Sequence, residues 1–468
     1  MRVVLRRIGR ATRWVALVTA ALLAAIAPAA ARDDATRVAT NLVAAPNVLV
    51  IVTDDQRKGT MVAMPKTLQW LRSGGVEFRK AYVTTPSCCP SRASIFSGRY
   101  VHNNGVTRQR LGGNLDHRST LQRELKTGGY FTAMAGKFLN RWNLGTRPPY
   151  FHRYAVLNGG YFDAAWGIDG VVRKVPGYTT TLIGDKAVEY LSAFEQANDA
   201  RPWLLYLAPV APHYPYRAEP KYADATFGHW PGNAAVNENV SDKPGYLRWR
   251  GPIPESTIQE IRTAQLRTLM SVDDMVNRVL RTLRAQGELR KTLVIYLSDN
   301  GYMWGEHRLV HTKFVPFTES VRVPFFARWP GHLAPGTSDR RLVANIDVKP
   351  TVLDAAGFAS DPAYPMDGRS LLGAGRRGRL LTEYFFDEAN APNIQTWAAI
   401  RTATYQYVEN YNQPELNGGT FREYYDLTTD PRMLTNLYSD GNANNDPPVG
   451  PLSSALAAAR ECSGADCR

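Results

Sequence analysis

The sequence predicts an α/β fold: a mostly parallel central sheet flanked by helices, followed by a smaller C-terminal antiparallel sheet. Three observations carry that expectation. Four apolar, β-favouring runs, "NVLVIVTDD" (47–55), "YFTAMAGK" (130–137), "WLLYLAPVAPH" (203–213) and "TLVIYLSDN" (292–300), are nearly uninterrupted, as strands covered on both faces require. Between the third and fourth runs, Ile258, Ile261, Leu269, Val272, Val276, Val279, Leu280 and Leu283 recur at helical spacing. Past residue 379 come short strand-like pieces, "LLTEYFF", "TWAAIRTATYQYVEN" and "REYYDL", punctuated by Asn, Gly and Pro.

Taken in chain order, the N-terminus carries Arg2, Arg6, Arg7, Arg10 and Arg13, then an apolar run from Trp14 to Ala27, then Ala29, Ala30 and Ala31. That pattern reads as a secretory signal over residues 1–31, with the mature chain starting at Arg32. No later segment offers about 18 uninterrupted apolar residues, so stable membrane insertion is not expected. A helix is expected to begin at Cys88 and run through Ala93 to Ser97. Residues 145–178 and 217–254, rich in Gly, Pro, Trp, Tyr and Asn, read as long loops, the expected walls of a substrate pocket. In the central helix Ser256 with Gln259 reads as a capping box and Gly287 as a terminator, while Asp273 and Asp274 read as a solvated or salt-bridged face. "LLGAGRRGR" (371–379) marks the boundary between a catalytic domain over 32–372 and a small sheet domain over 373–468.

Composition narrows the classes. With 44% hydrophobic residues in 468, the chain can bury a large core, which excludes disorder. The net charge of +14 falls to +9 without the five arginines of residues 1–31, a balance suited to anionic substrates. Its cations are scattered and not interleaved with aromatics, so nucleic acid is not an expected partner. Export permits disulfides, and a bridge between Cys462 and Cys467 would tie down the C-terminal tail. Cys88 and Cys89 suit each other poorly, because adjacent Cα atoms lie about 3.8 Å apart and disulfides prefer roughly 4.4–6.8 Å. Bridging of either to the tail is the alternative.

Each apolar run ends at a residue type that catalysis uses: Asp54 and Asp55, Lys137, His213, Asp299 and Asn300. In open α/β sheets ligands bind beyond the carboxyl ends of the strands, so these residues are expected to converge. Asp54, Asp55, Asp299 and Asn300 are all oxygen donors, which suits a hard cation, calcium more readily than magnesium, and disfavours zinc.

Cys88-Cys89-Pro90-Ser91-Arg92, followed by Ser97-Gly98-Arg99, resembles the signature of the sulfatase family. The resemblance extends through "PNVLVIVTDDQ", "GYFTAMAGKFLN" and "SDNGYMWGEHRLVHTKFVPFTESVRVPFF", four ordered segments over most of the chain. "GKFLN" and the terminal "CSGADC" are most similar to the glucosamine-6-sulfatases and heparan 6-O-sulfatases. Where many sulfatases carry a histidine two residues after the first lysine, this chain has Leu139, which leaves Asn140 or His102 as candidates for that part of the pocket.

The resemblance implies an alkaline-phosphatase-like fold and an exported sulfuric ester hydrolase acting on a sulfated small molecule or glycan. It implies that a maturation enzyme oxidises Cys88 to formylglycine, and that one calcium ion is held by Asp54, Asp55, residue 88, Asp299 and Asn300. Hydrated to a geminal diol, residue 88 can attack sulfur with one oxygen and expel sulfate with the other. Arg92 would neutralise the carboxylates, Lys137 and Lys313 would contact sulfate and leaving-group oxygens, and His213 would act as general acid. The rival readings are a phosphomonoesterase or phosphonate monoesterase on the same scaffold, and a catalytically silent protein that binds sulfated glycans.

Overall fold

The computed structural model describes residues 45–197 and 201–468; the expected signal over 1–31 lies outside the described residues. Ten strands form the main sheet: β1 (Asn47–Thr53), β2 (Val76–Tyr82), β3 (Phe131–Lys137), β4 (Arg153–Leu157), β5 (Ala165–Ile168), β6 (Val171–Lys174), β7 (Trp203–Ala208), β8 (Thr292–Ser298), β9 (Phe325–Arg328) and β10 (Thr337–Ala344). Their spatial order is β10-β2-β9-β8-β1-β7-β3-β4-β5-β6. The four apolar runs are β1, β3, β7 and β8, and they lie side by side at the centre, all parallel. β1, β7 and β8 are buried along their whole length, which is why their sequences lack alternation. The registers Thr53 with Ser298 and Gly136 with Ala208 bring the strand ends level. Gly136, at φ 113°, allows that approach, since a Cβ there would sit 2.1 Å from the Ala208 carbonyl oxygen.

Helices cover both faces. Leu49, Ile51, Leu205, Leu207, Val294 and Tyr296 join one core with Val272, Val276 and Leu280 of the 31-residue helix Glu255–Ala285. Tyr206, on the alternate parity, meets Phe96 of the helix Cys88–Ser97 at 4.7 Å between ring centroids. Among the described residues no helix is long and apolar enough to cross a membrane.

All eight apolar residues that predict the long helix are buried, and Gly287 follows its end at φ 78°. Its start differs. Pro254 is the N-cap, and Gln259 bonds both the amide and the carbonyl of Trp230 instead of closing a capping box. Asp274 pairs with Lys66 and Lys221 as expected, but Asp273 is buried. It accepts bonds from the Thr67 amide (2.6 Å), the Thr67 hydroxyl (2.7 Å) and the Lys66 amide (3.2 Å), capping the helix Pro65–Leu71. Removing a cap costs about 1–2 kcal/mol. Asp273→Ala is therefore expected to lower the unfolding free energy by that amount in a denaturant titration, with turnover unchanged.

Residues 217–254 are largely irregular, but 145–178 are not a loop: they hold β4, β5 and β6. β5 and β6 form a hairpin at the sheet edge through Asp169 and Gly170, both at positive φ, as a type I′ turn requires. The C-terminal pieces form an antiparallel sheet of β11 (Leu380–Tyr384), β12 (Trp397–Arg401), β13 (Tyr405–Gln413) and β14 (Gly419–Asp426), in that order. Its Leu380, Ala398 and Ile400 share a core with Tyr82, Val83 and Val321 of the main body. Cys462 and Cys467 form the expected disulfide, and Cys88 and Cys89 are free.

Candidate active site

Asp54 and Asp55 follow β1, and Asp299 and Asn300 follow β8; the Asp299 amide donates to the Thr53 carbonyl at 3.0 Å, which locks the two strand ends together. Asp55 adopts a left-handed backbone, φ 67°, a conformation that Asp tolerates better than most residues. The Asp54 amide donates to the Ala211 carbonyl at 3.3 Å, tying the segment that carries His213 to the same edge. Cys88 opens the helix Cys88–Ser97, which Gly98 ends at φ 69°. Lys313 is held from the other side. The Trp397 indole donates to the Phe314 carbonyl and Gln406 to the Pro316 carbonyl, both at 2.8 Å, so the C-terminal sheet fixes the lysine's segment.

The Cys88 sulfur lies 3.3 Å from Asp54 Oδ1, 3.9 Å from Asp55 Oδ1 and 2.6 Å from Lys313 Nζ. Burial, with the Asp54 charge beside it, pushes this thiol far above its ordinary value. Cys89 is turned away. Its amide donates to Gln109 Oε1 at 3.1 Å, its sulfur lies under Gly112, and burial pushes its thiol up to about 11.

Three buried carboxylates face three fixed cations. Lys137 Nζ bonds Asp54 Oδ2, Lys313 Nζ bonds Asp55 Oδ1, and Arg92 Nε donates to Asp299 Oδ2 at 2.7 Å while its Nη2 lies 3.7 Å from Asp54 Oδ2. Burial alone would raise the Asp54 carboxyl, but Lys137, His213, Arg92 and Lys313 outweigh it and hold it well below the usual range. Asp299 goes the other way, pushed up to about 6 by burial and by the Asp54 charge. Burial would lower both lysines, but the facing Asp54 and Asp55 keep them charged. His213 Nδ1 donates to the Tyr214 carbonyl at 2.6 Å, which fixes the ring and leaves Nε2 3.7 Å from Asp55 Oδ2.

Ligating atoms of Asp54, Asp55, Cys88 and His213 all lie within 4.8 Å of one another, a grouping that could hold a metal ion. Asp299 and Asn300 adjoin it: Asp299 Oδ1 accepts from the Asp55 amide at 3.2 Å, and Asn300 Nδ2 donates to Asp55 Oδ1 at 2.7 Å. Asn300 Oδ1 is buried without a hydrogen-bond partner. Turning that amide would present an oxygen to the same point, because the two amide atoms are interchangeable in shape. An oxygen-rich donor set with an unpartnered oxygen fits a hard cation.

Asp55, Cys88, Lys137, His213, Tyr302 and Lys313 line a cavity of about 860 Å³, while Asp54, Arg92, Asp299 and Asn300 are fully buried around it. Of the candidates for the place beside Leu139, Asn140 lines this cavity. His102 does not: it bonds Glu383 at 2.7 Å and the Cys462 carbonyl at 3.0 Å. Nor do residues 217–254 line it; the walls come from Gln109, Arg110, Arg141, Asn158, His311 and Asn390, of which only Asn158 falls in an expected wall. Of the others only His311 lies in a segment that the family resemblance marks, 298–326; Gln109, Arg110, Arg141 and Asn390 lie in none. Trp304 is packing, stacked under Arg57 at 4.3 Å, and His307 is buried against Glu238.

The profile of the sulfatase family matches residues 46–358, and that of the N-sulphoglucosamine sulphohydrolase C-terminal region matches 305–449. The chain is 36% identical over 355 residues to the extracellular sulfatase SULF-1 homolog of Drosophila melanogaster, a match covering 70% of this chain and 31% of that longer protein. It is 32% identical over 487 residues to the N-acetylglucosamine-6-sulfatase of Homo sapiens, covering 90% of this chain and 86% of the relative. A solved structure of a protein in complex with its substrate D-glucosamine-2-N,6-O-disulfate superposes with a TM-score of 0.78 at 23% identity, covering 88% of this chain and 97% of the other, a likeness of fold.

Proposed function

The chain belongs to the sulfatase family of sulfuric ester hydrolases, and from that membership we propose that it hydrolyses carbohydrate 6-O-sulfate esters of glucosamine through a formylglycine at position 88. Aryl sulfates would serve as artificial substrates. The observation that carries the proposal is the placement of the Cys88 side chain, on the cavity floor between Asp54 and Lys313, while Cys89 faces the protein interior.

In this reading a maturation enzyme converts Cys88 to the aldehyde, which hydrates to a diol. One diol oxygen gives its proton to the Asp55 carboxylate and forms a bond to sulfur as the ester oxygen leaves, which takes a proton from Nε2 of protonated His213 to become the alcohol. The second hydroxyl then gives its proton to His213 Nε2, the carbonyl re-forms, and the carbon–oxygen bond to sulfate breaks, regenerating the aldehyde. Lys313, 2.6 Å from the side chain of residue 88, would hold the ionised diol oxygen, and Lys137, which lines the cavity, would hold a sulfate oxygen. Arg92 holds Asp299 in position. Asp54, Asp55, Asp299, Asn300 and residue 88 would hold one calcium ion, whose contribution when bound is Lewis-acid polarisation of the sulfate and a lowered diol pKa.

The remaining proposals concern placement: residues 1–31 as a cleaved signal, 32–372 as catalytic domain and 373–468 as a sheet subdomain. An extracytoplasmic location is supported by the Cys462–Cys467 disulfide. The test is sulfate release by the matured protein from N-acetylglucosamine-6-sulfate, alongside 4-nitrophenyl sulfate and 4-nitrophenyl phosphate. Sulfate esters are expected to be turned over faster by orders of magnitude, with activity lost in EGTA and restored by calcium more fully than by magnesium. A strong preference for the phosphate ester would overturn the reading in favour of a phosphoesterase. Glycan binding without sulfate release would overturn it in favour of a silent binding protein.

A further inference from the structure

The two segments that carry Asp54, Asp55, Asp299 and Asn300 run on into a second buried ion pair, which the chemistry above does not use. Arg57 lies two residues past Asp55, and Glu306 six past Asn300. Arg57 Nη1 donates to Glu306 Oε2 at 3.0 Å and Nη2 to Oε1 at 2.7 Å, so the guanidinium meets the carboxylate as a fork. The two residues are 5% and 0% exposed. A buried pair of this kind adds little net stability, because desolvation offsets much of the attraction. What its two-point contact supplies is a fixed spacing between the segments it joins.

That spacing is not secured otherwise. The ladder between β1 and β8 ends at Thr53 with Ser298, one residue short of Asp54 and Asp299. Beyond it, the bonds that join Asp55 to Asp299 and Asn300 use side-chain atoms that a cation would claim: Asp299 Oδ1 accepts from the Asp55 amide, and Asp55 Oδ1 accepts from Asn300 Nδ2. The pair of Arg57 with Glu306 uses no such atom and joins the segments whether or not an ion is held. Its own position is fixed by its neighbours. Glu306 Oε2 also accepts from the Trp304 amide at 2.8 Å and Oε1 from Asn233 Nδ2 at 3.0 Å, while the Arg57 guanidinium lies 4.3 Å from the centre of the Trp304 ring. The Trp304 indole donates to Gln265 Oε1 at 2.6 Å, and Gln265 Nε2 donates at 3.2 Å to the carbonyl of Pro212, the residue before His213. The pair is thereby anchored to the long helix and to the segment that carries His213.

We infer that Arg57 and Glu306 are positioning residues that hold the segments 54–55 and 299–300 at the spacing a bound divalent cation requires, so that a pair outside both the ligand set and the cavity lining sets the ion's affinity. Rigidity of the site tunes calcium affinity alongside ligand charge, and partners behind the ligands commonly contribute about 10–100-fold. The inference rests on the metal reading proposed above and adds two residues to it.

The test is a double substitution, Arg57→Met with Glu306→Gln. It leaves the net charge unchanged, so the long-range attraction of the site for a cation stays nearly constant while the fork is lost. Methionine fills the place beside Trp304 and glutamine keeps an acceptor for the Trp304 amide, whereas Glu306→Gln alone would bury an unpaired guanidinium. Calorimetry on protein with an unmodified Cys88 thiol is expected to give a calcium Kd raised about tenfold or more. In calcium-free protein, hydrogen exchange is expected to be faster in peptides covering 53–58 and 298–306 and unchanged in the C-terminal sheet. Arg57→Lys, which keeps the charge but loses the fork, is expected to fall between wild type and double variant on both readouts, and it decides if the double variant does not fold. A melting temperature that falls while the calcium Kd stays at the wild-type value makes the pair a stability element and overturns the inference, as does exchange unchanged in both segments. Wild type that binds no calcium overturns the metal reading and the inference with it. A shifted Kd in the variants, with no sulfate release by the matured wild type, sinks the hydrolysis and leaves the positioning role standing.

Discussion

Cys88→Ala is expected to reduce sulfate release by roughly 10⁴-fold or more, the scale on which deletion of a covalent nucleophile acts, whereas Cys89→Ala retains most of it. The two residues are neighbours in sequence and equally buried, so burial does not separate them. Their surroundings do. The Cys88 side chain ends among Asp54, Asp55 and Lys313 on the cavity floor, and that of Cys89 ends beneath Gly112, where an added Cβ would sit 3.1 Å from its sulfur. Truncating Cys89 leaves a small apolar void and costs stability of about 1 kcal/mol, with no group lost from the reacting centre. Thermal unfolding of both variants controls for folding. Mass spectrometry of the tryptic peptide 81–92 gives an independent readout: in matured protein residue 88 has lost one sulfur and two hydrogens and gained one oxygen. A dead Cys89→Ala with an active Cys88→Ala would assign the chemistry to the wrong neighbour.

The surroundings of Cys88 are compatible with the formylglycine proposed for it. A cysteine that attacks as thiolate needs its pKa lowered, and here burial and Asp54 push it the other way. Lys313 Nζ is shared between Asp55 and the Cys88 sulfur, 2.6 Å away, while Lys137 bonds Asp54. The same pocket suits a hydrated aldehyde better, since a diol offers hydrogens to Asp54 and Asp55 and an oxygen to Lys313 at once.

The central strands were legible because a strand buried on both faces has only one solution in sequence, an apolar run, and a polar residue ending it must lie at the sheet's edge. That is why Asp54, Lys137 and Asp299, more than 80 residues apart in each consecutive step, could be placed together. The hairpin of β5 and β6 is not legible although Asp169-Gly170 is a strong turn signal, because its strands are four residues each and β6 is wholly exposed. Asp273 reads as a solvated carboxylate because its partner amide, Thr67, is 206 residues away. The wall of the cavity is illegible for the same reason. The Gln109 side chain finds Asn140 31 residues away and its backbone N–H finds Asp387 278 residues away, and hydrogen bonds of that range have no sequence period.

Arg92 is the residue on which the charge balance turns, and Arg92→Met is expected to destabilise the protein by about 3–5 kcal/mol, the cost of leaving a buried ion pair with one partner. Its side chain is fully buried, with Nε on Asp299, Nη1 on the Lys137 carbonyl at 2.8 Å and Nη2 near Asp54. Methionine fills much of the volume but supplies neither charge nor donors, so three carboxylates then face only Lys137 and Lys313. Loss of the bond to the Lys137 carbonyl also frees the strand end that aims that lysine, and misplacement of a catalytic group by an ångström costs about 100-fold in turnover. A divalent cation bound by Asp54, Asp55 and Asp299 would supply the missing positive charge. Calcium should therefore raise the melting temperature of Arg92→Met by more than it raises that of the wild type, while failing to restore the turnover that depends on Lys137. If calcium shifts both proteins equally, Arg92 and the ion do not balance the same carboxylates, and the five-residue ligand set loses its electrostatic rationale.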